Sequence, residues 1–242
     1  MSWSNDNEAA AQEEALQRLM EKRRQRGEKL EAFAAPTGTR LTTQFWGGEW
    51  VRHLATYCGY DARLGRGRTC LRQGRVFNLV VEAGIVTAEV AGSDLYGVEI
   101  HVDPLPGEAW QKIKDQCAGG VGSLLDLLGG KLGDAVMKIV TDPDTGLFPG
   151  RQEIRHQCSC PDDADLCLHQ AAVLYAVGVR FDHDPKVFFE LRGVDPSELL
   201  ASSAATLTDS PGGTGVELAG EDLNVLFGID LLEPGAPPGI PG

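Results

Sequence analysis

The chain has 242 residues, and at roughly 150 residues per domain this predicts one sizeable domain with appended segments. Hydrophobic residues make up 42% and charged residues 24%, an ordinary globular composition that excludes a wholly disordered or collagen-like chain. A formal charge of −13 excludes a protein that coats nucleic acid or acidic membranes with its whole surface, so any such binding must be local.

The charge is unevenly placed. Residues 1–75 carry net +4, residues 76–192 net −9 and residues 193–242 net −8, the last block without any Lys or Arg. The opening Met1-Ser-Trp-Ser-Asn-Asp-Asn-Glu8 lacks the positive and then apolar pattern of a signal peptide. No run approaches the roughly 18 apolar residues that a membrane helix needs. These features predict a soluble, cytoplasmic protein with no membrane partner.

Residues Glu8–Phe33 contain no Pro and only one Gly, and predict a charged N-terminal helix. Its acids (Glu8, Glu13, Glu14) precede its bases (Lys22, Arg23, Arg24, Arg26, Lys29), the order the helix dipole favours. The basic cluster reads as a solvated face or as a phosphate contact. Ala34–Thr43 has the Pro, Gly and Thr content of a linker, so residues 1–40 form an appended segment and residues 41–149 an α+β domain. Phe45, Trp46, Trp50, Val51 and Leu54 recur at helical spacing, which predicts core packing, with base stacking as the alternative.

Arg63, Arg66, Arg68, Arg72 and Arg75, interleaved with Gly65, Gly67 and Gly74, predict a glycine-rich basic loop leading into a strand. Guanidinium forks on a backbone that a ligand can approach closely suit phosphate contact, making these five the candidate nucleic-acid-binding residues; ordinary loop chemistry is the competing reading. Val76–Val81, Ile85–Ala91 and the alternation of Tyr96, Val98, Ile100 and Val102 then predict a three-stranded antiparallel meander. Helices follow over Glu108–Ala118, Val121–Leu128 and Lys131–Val140, with a Leu-rich face predicted to pack on the sheet. Cys117 reads as a small buried hydrophobe.

The stretch His156-Gln-Cys-Ser-Cys-Pro-Asp-Asp-Ala-Asp-Leu-Cys-Leu-His169 carries the chemistry. Cys158-x-Cys160, six residues, then Cys167-x-His169 supply three thiolates and one imidazole, a complete tetrahedral set for Zn2+. A C-x-C pair on extended backbone points both side chains to one face, and the connection with Pro161 and three aspartates is long enough to turn back. Cys167 and His169 then stand at the start of a helix over Gln170-Ala-Ala-Val-Leu-Tyr-Ala-Val. His156 is the alternative fourth ligand. Four protein ligands leave no open position for water or substrate, so the site reads as structural.

This pattern, with Pro161-Asp162 after the second cysteine and His169-Gln-Ala-Ala-Val-Leu-Tyr175 beyond the last ligand, resembles the SWIM-type zinc finger. The wider chain resembles bacterial stand-alone SWIM zinc-finger family proteins in Phe45-Trp-Gly-Gly-Glu-Trp50 and in Gly67-Arg-Thr-Cys-Leu-Arg-Gln-Gly-Arg75, over roughly residues 41–200. The resemblance implies that Cys158, Cys160, Cys167 and His169 are the zinc ligands. It also implies binding to DNA or protein, and as a partner a Swi/Snf-type DNA-translocating ATPase; RNA is the further nucleic-acid candidate for the basic residues. Leu168 departs from the basic residue expected between the last two ligands.

Residues 202–242 predict a disordered acidic tail. Within it Leu223, Val225, Leu226, Phe227, Ile229, Leu231 and Leu232 form an apolar island over residues 221–233, a candidate docking motif for a protein partner or a segment that packs back on its own domain. Together the elements predict an α+β fold: a small antiparallel three-stranded sheet with packed helices, a zinc finger and its following helices over residues 150–201, a charged N-terminal helix and an acidic tail. The predicted function is that of a zinc-binding, non-enzymatic adaptor. The alternatives are a zinc-dependent hydrolase or nucleic-acid-processing enzyme, for which Asp162, Asp163 and Asp165 are the nearby carboxylates, and a zinc-thiolate redox sensor.

Overall fold

The computed structural model describes residues 14–200 apart from 15, 19, 59–60, 119, 121–123, 130 and 132. The apolar island at residues 221–233 lies outside the described residues. In chain order the elements are α1 (Phe45–Cys58), α2 (Asp61–Arg72), β1 (Val76–Glu82), β2 (Ile85–Ala91), β3 (Leu95–Val102), α3 (Gly107–Cys117), α4 (Leu124–Leu128), α5 (Asp134–Val140), a 3-10 turn (Arg151–Glu153), β4 (Ile154–Cys158), α6 (Leu168–His183) and α7 (Lys186–Leu191).

The sheet has four antiparallel strands in the order β1-β2-β3-β4, one more than the sequence predicts. The added strand follows from register: Val98, Ile100 and Val102 of β3 stand opposite Cys158, His156 and Ile154 of β4. The chain returns to β3 after the intervening helices, and the extended backbone that presents Cys158 is the backbone that pairs. Val86, Ala88, Val90, Val98, Ile100, Val102 and Ile154 are buried on one face of the sheet, while Thr87, Gly97 and Gln157 are exposed on the other.

The layer on the buried face is led by α6, which packs against all four strands and against α1 and α2 behind it. Twelve of its sixteen residues are buried, which gives it a continuous apolar surface rather than a single stripe. Trp46 and Trp50 of α1 are 1% exposed, and their indole N–H groups donate to the carbonyls of Leu127 (3.2 Å) and Leu174 (2.8 Å). Their rings meet Phe148, Phe181, Phe188 and Phe189, so the Trp spacing encodes core. Asp182 near the end of α6 accepts from the backbone N–H groups of Thr43, Gln44 and Gly47, closing the start of α1.

Two further expectations change in the structure. Residues 63–72 are helical, not a loop: Gly67 faces α6 so closely that a Cβ there would stand 2.5 Å from the Ala171 Cβ, and this contact outweighs the poor helix propensity of a Gly-rich segment. The N-terminal helix ends well before Phe33, because the chain turns at Gly27 (φ 76°), where the Gly27 and Glu28 N–H groups donate back to the Arg24 and Arg23 carbonyls. Beyond that turn the chain runs beside β1: Phe33 N–H donates to the Val76 carbonyl, Asn78 N–H to the Glu31 carbonyl, and the Asn78 side chain bonds Lys29, Glu31 and Glu89. This strap lies against part of an edge strand whose unpaired backbone groups would otherwise face water.

Arg192 is 1% exposed and donates to the Asp103 carbonyl and to Glu153 at 3.1 Å, tying the end of β3 to the start of β4. Glu153 keeps 32% side-chain exposure and can hydrate once unpaired. Arg192→Met is therefore expected to cost about 2 kcal/mol, below the usual range for breaking a fully buried pair, as measured by urea denaturation. Among the described residues no helix is long and apolar enough to cross a membrane.

Candidate metal centre

Two elements bring the donors together. Cys158 ends β4, and Cys160 follows two residues on in the bend by which the chain leaves the strand. Cys167 is the N-cap of α6, with φ −83° and ψ 169°, and His169 lies in the first turn. The Cys167 Sγ accepts from the Gln170 N–H at 3.4 Å while the Gln170 side chain accepts from the Cys167 N–H at 2.7 Å. A thiol thus takes the place that Ser or Thr holds in a capping box. The Gln170 N–H at this helix end favours the Cys167 thiolate, an effect that burial outweighs.

One donor atom from each of Cys158, Cys160, Cys167 and His169 lies within 4.8 Å of the others, the sole group among the described residues close enough to hold a metal ion. His169 Nδ1 is 3.9 Å from both the Cys158 and the Cys167 Sγ. Bonds of about 2.3 Å to sulfur and about 2.0 Å to nitrogen give a tetrahedron with edges near 3.5 to 3.8 Å, so the donors need only small movements to close on Zn2+. Burial keeps the His169 imidazole below its ordinary range, in the neutral form that ligates. Burial also pushes the Cys158 and Cys167 thiols up, so metal uptake must displace their protons and acid favours release.

His156 shares a strand face with Cys158 but stands outside the four-donor group, and its buried Nδ1 has no hydrogen-bond partner. With Asp162, Asp163 and Asp165 it lines a cavity of about 590 Å³ beside the centre. Asp162 is 3.6 Å from Arg63 and accepts from the Ala164 N–H, so it is engaged in shaping the knuckle between the two ligand pairs. Cys70 and Cys117 are buried and their thiols are pushed up to about 11, which makes both inert at neutral pH.

The five arginines divide between two kinds of environment. Arg63 donates to the Leu166 carbonyl at 2.8 Å, Arg68 sits over the Tyr175 ring at 5.6 Å, and Arg72 donates to the Thr39 carbonyl. Arg66 and Arg75 instead line a cleft of about 720 Å³ between α2 and the metal centre, together with Thr69, Gln73, Tyr96 and His169. The sequence does not disclose this cleft, because its walls come from α2, the β2–β3 turn and the ligand knuckle.

Residues 141–178 match the SWIM zinc finger family. An uncharacterized protein of Mycobacterium tuberculosis is 34% identical to this chain over 169 residues, which are 69% of this chain and 61% of the relative. The chain thus spans about 61% of the length of the curated relative it matches. No solved structure matches it. The stretch that brings the four donors together lies within the stretch matched to the family, so this chain carries a SWIM zinc finger and its metal is zinc.

Proposed function

We propose that the chain is a non-enzymatic, cytoplasmic binding module in which zinc builds the fold and nucleic acid is the ligand. The observation that carries this reading is the pairing of a complete Cys3His donor set with an adjoining cleft that Arg66 and Arg75 line. A zinc ion held by four protein donors keeps no position for water, and its contribution is to fix β4 against α6. Arg66, exposed and without a partner among the described residues, is then a cation available for phosphate. In a chain of charge −13, such local basic surface selects contact at one place rather than broad coating. As an adaptor it would pass its ligand to a protein partner, for which the SWIM resemblance implies a DNA-translocating ATPase.

The test is fluorescence anisotropy of zinc-loaded protein against labelled DNA and RNA over a salt series. Expected is binding that weakens with salt, with a log–log slope near −1 to −2, as one or two phosphate contacts would give. Binding with no salt dependence, or none at low salt, overturns the reading.

A further inference from the structure

The cleft of about 720 Å³ has three walls of different chemistry. The first is one face of α2, where Ala62, Gly65, Arg66, Thr69, Cys70 and Gln73 recur at three- and four-residue spacing. The second is the Gly92-Ser93 turn with Tyr96, and the third is the knuckle Cys160-Pro161-Asp162 with the metal-ligating His169. Apart from the metal ligands Cys160 and His169, its polar side chains are mainly guanidinium, amide and hydroxyl groups, and its one carboxylate, Asp162, pairs with Arg63.

Gly65 is the informative residue. A glycine inside a helix costs roughly 1 kcal/mol relative to alanine, and Gly67 has a packing reason to be glycine while Gly65 has none. A Cβ at Gly65 would meet nothing within 4 Å, so the room beside it is open cleft. A missing side chain next to Arg66, exposed and without a partner among the described residues, lets a ligand backbone lie directly along α2. The opposite wall offers Tyr96, half-buried, its ring centroid 4.7 Å from that of His169. Cation on one wall and aromatic ring on the other is the pairing that holds a single polynucleotide strand, phosphates on one side and a base against the ring. The basic helix cannot enter the groove of a duplex, because its other face is fixed against α6 and its free face is walled by the turn and the knuckle.

We infer that this cleft is the seat of a single-stranded nucleic acid, with Arg66 on phosphate, Gly65 admitting the strand's backbone and Tyr96 carrying a base. The inference rests on the proposed nucleic-acid reading and locates it. The cleft is also coupled to the metal: the Gly92 backbone abuts His169 so closely that a Cβ there would stand 2.8 Å from Nε2, and Cys160 lines the wall. A strand bound in the cleft therefore braces two zinc ligands, and by reciprocity zinc braces the strand site.

The experiment uses the zinc-loaded full chain with labelled oligo-dT, oligo-U and a duplex of equal length. It is repeated with Gly65→Glu, which sets a carboxylate in open space, with Arg66→Ala, and with Lys112→Ala on α3 as an exposed control. Zinc content and circular dichroism verify each variant. Expected are tighter binding of the single strands than of the duplex, a loss of at least about tenfold in Gly65→Glu and about three- to tenfold in Arg66→Ala, and no change in Lys112→Ala. Chelator extraction of zinc should slow severalfold when single strand is present. Binding that ignores both cleft variants, or favours the duplex, overturns the cleft while nucleic-acid binding stands. If the wild-type chain binds no nucleic acid, both fall.

Discussion

Replacing Cys167 by alanine is expected to abolish zinc retention and the cooperative thermal transition together. Zinc in small modules contributes on the order of 10 kcal/mol, comparable to the whole stability of a domain at about 5–15 kcal/mol. The loss does not stay local here, because the ligand-bearing end of α6 belongs to the helix that covers the sheet and packs α1 and α2. Cys167 also caps that helix through the Gln170 N–H. Cys167→Ser loses the thiolate but keeps a capping oxygen, so it should retain about 1 kcal/mol more than Cys167→Ala in the metal-free state. Circular dichroism melts with metal analysis read both effects. A cooperative melt within a few degrees of wild type, with zinc absent, would show that the fold stands without its metal.

The second large effect comes from two glycines two residues apart in α2 with opposite expectations. Gly67→Val drives a branched side chain into α6, where even a Cβ stands 2.5 Å from the Ala171 Cβ, 2.7 Å from its carbonyl carbon and 2.8 Å from the Ala172 nitrogen. Two of these atoms are backbone of the helix that holds the sheet and the finger, so relief requires moving α6 itself. A loss of at least about 3 kcal/mol is expected, or a drop in Tm of about 10 °C. Gly65→Ala meets nothing within 4 Å and should stabilise by about 0.5–1 kcal/mol. Equal responses at the two positions, measured by urea denaturation, would contradict the α2–α6 packing.

These glycines also show why part of the fold was hidden in the sequence. Gly65 and Gly67 lower the helix propensity of the segment, and its four arginines leave few apolar residues to mark a stripe, so local signals read as loop. Only the partner helix, about a hundred residues away, explains the helix. The fourth strand was concealed for a related reason: Ile154-Arg-His-Gln-Cys158 is short and polar at alternate positions, and its pairing partner β3 is distant in sequence. The meander was legible because its first two strands are apolar runs of strand length, its third alternates clearly, and short turns join them. The ligands were legible because C-x-C and C-x-H spacing is chemistry confined to twelve residues, independent of the rest of the chain. The cleft was not, since no single segment forms it.

In this account zinc is a closed, structural ion that builds a binding module and leaves catalysis no position at the metal. X-ray absorption at the zinc edge of the purified full chain tests that directly. The account predicts one zinc per chain in a shell of three sulfurs at about 2.3 Å and one nitrogen at about 2.0 Å, unchanged when nucleic acid is added. An oxygen in the shell, or a ligand exchanged on addition of nucleic acid, would contradict it and mark an open metal site.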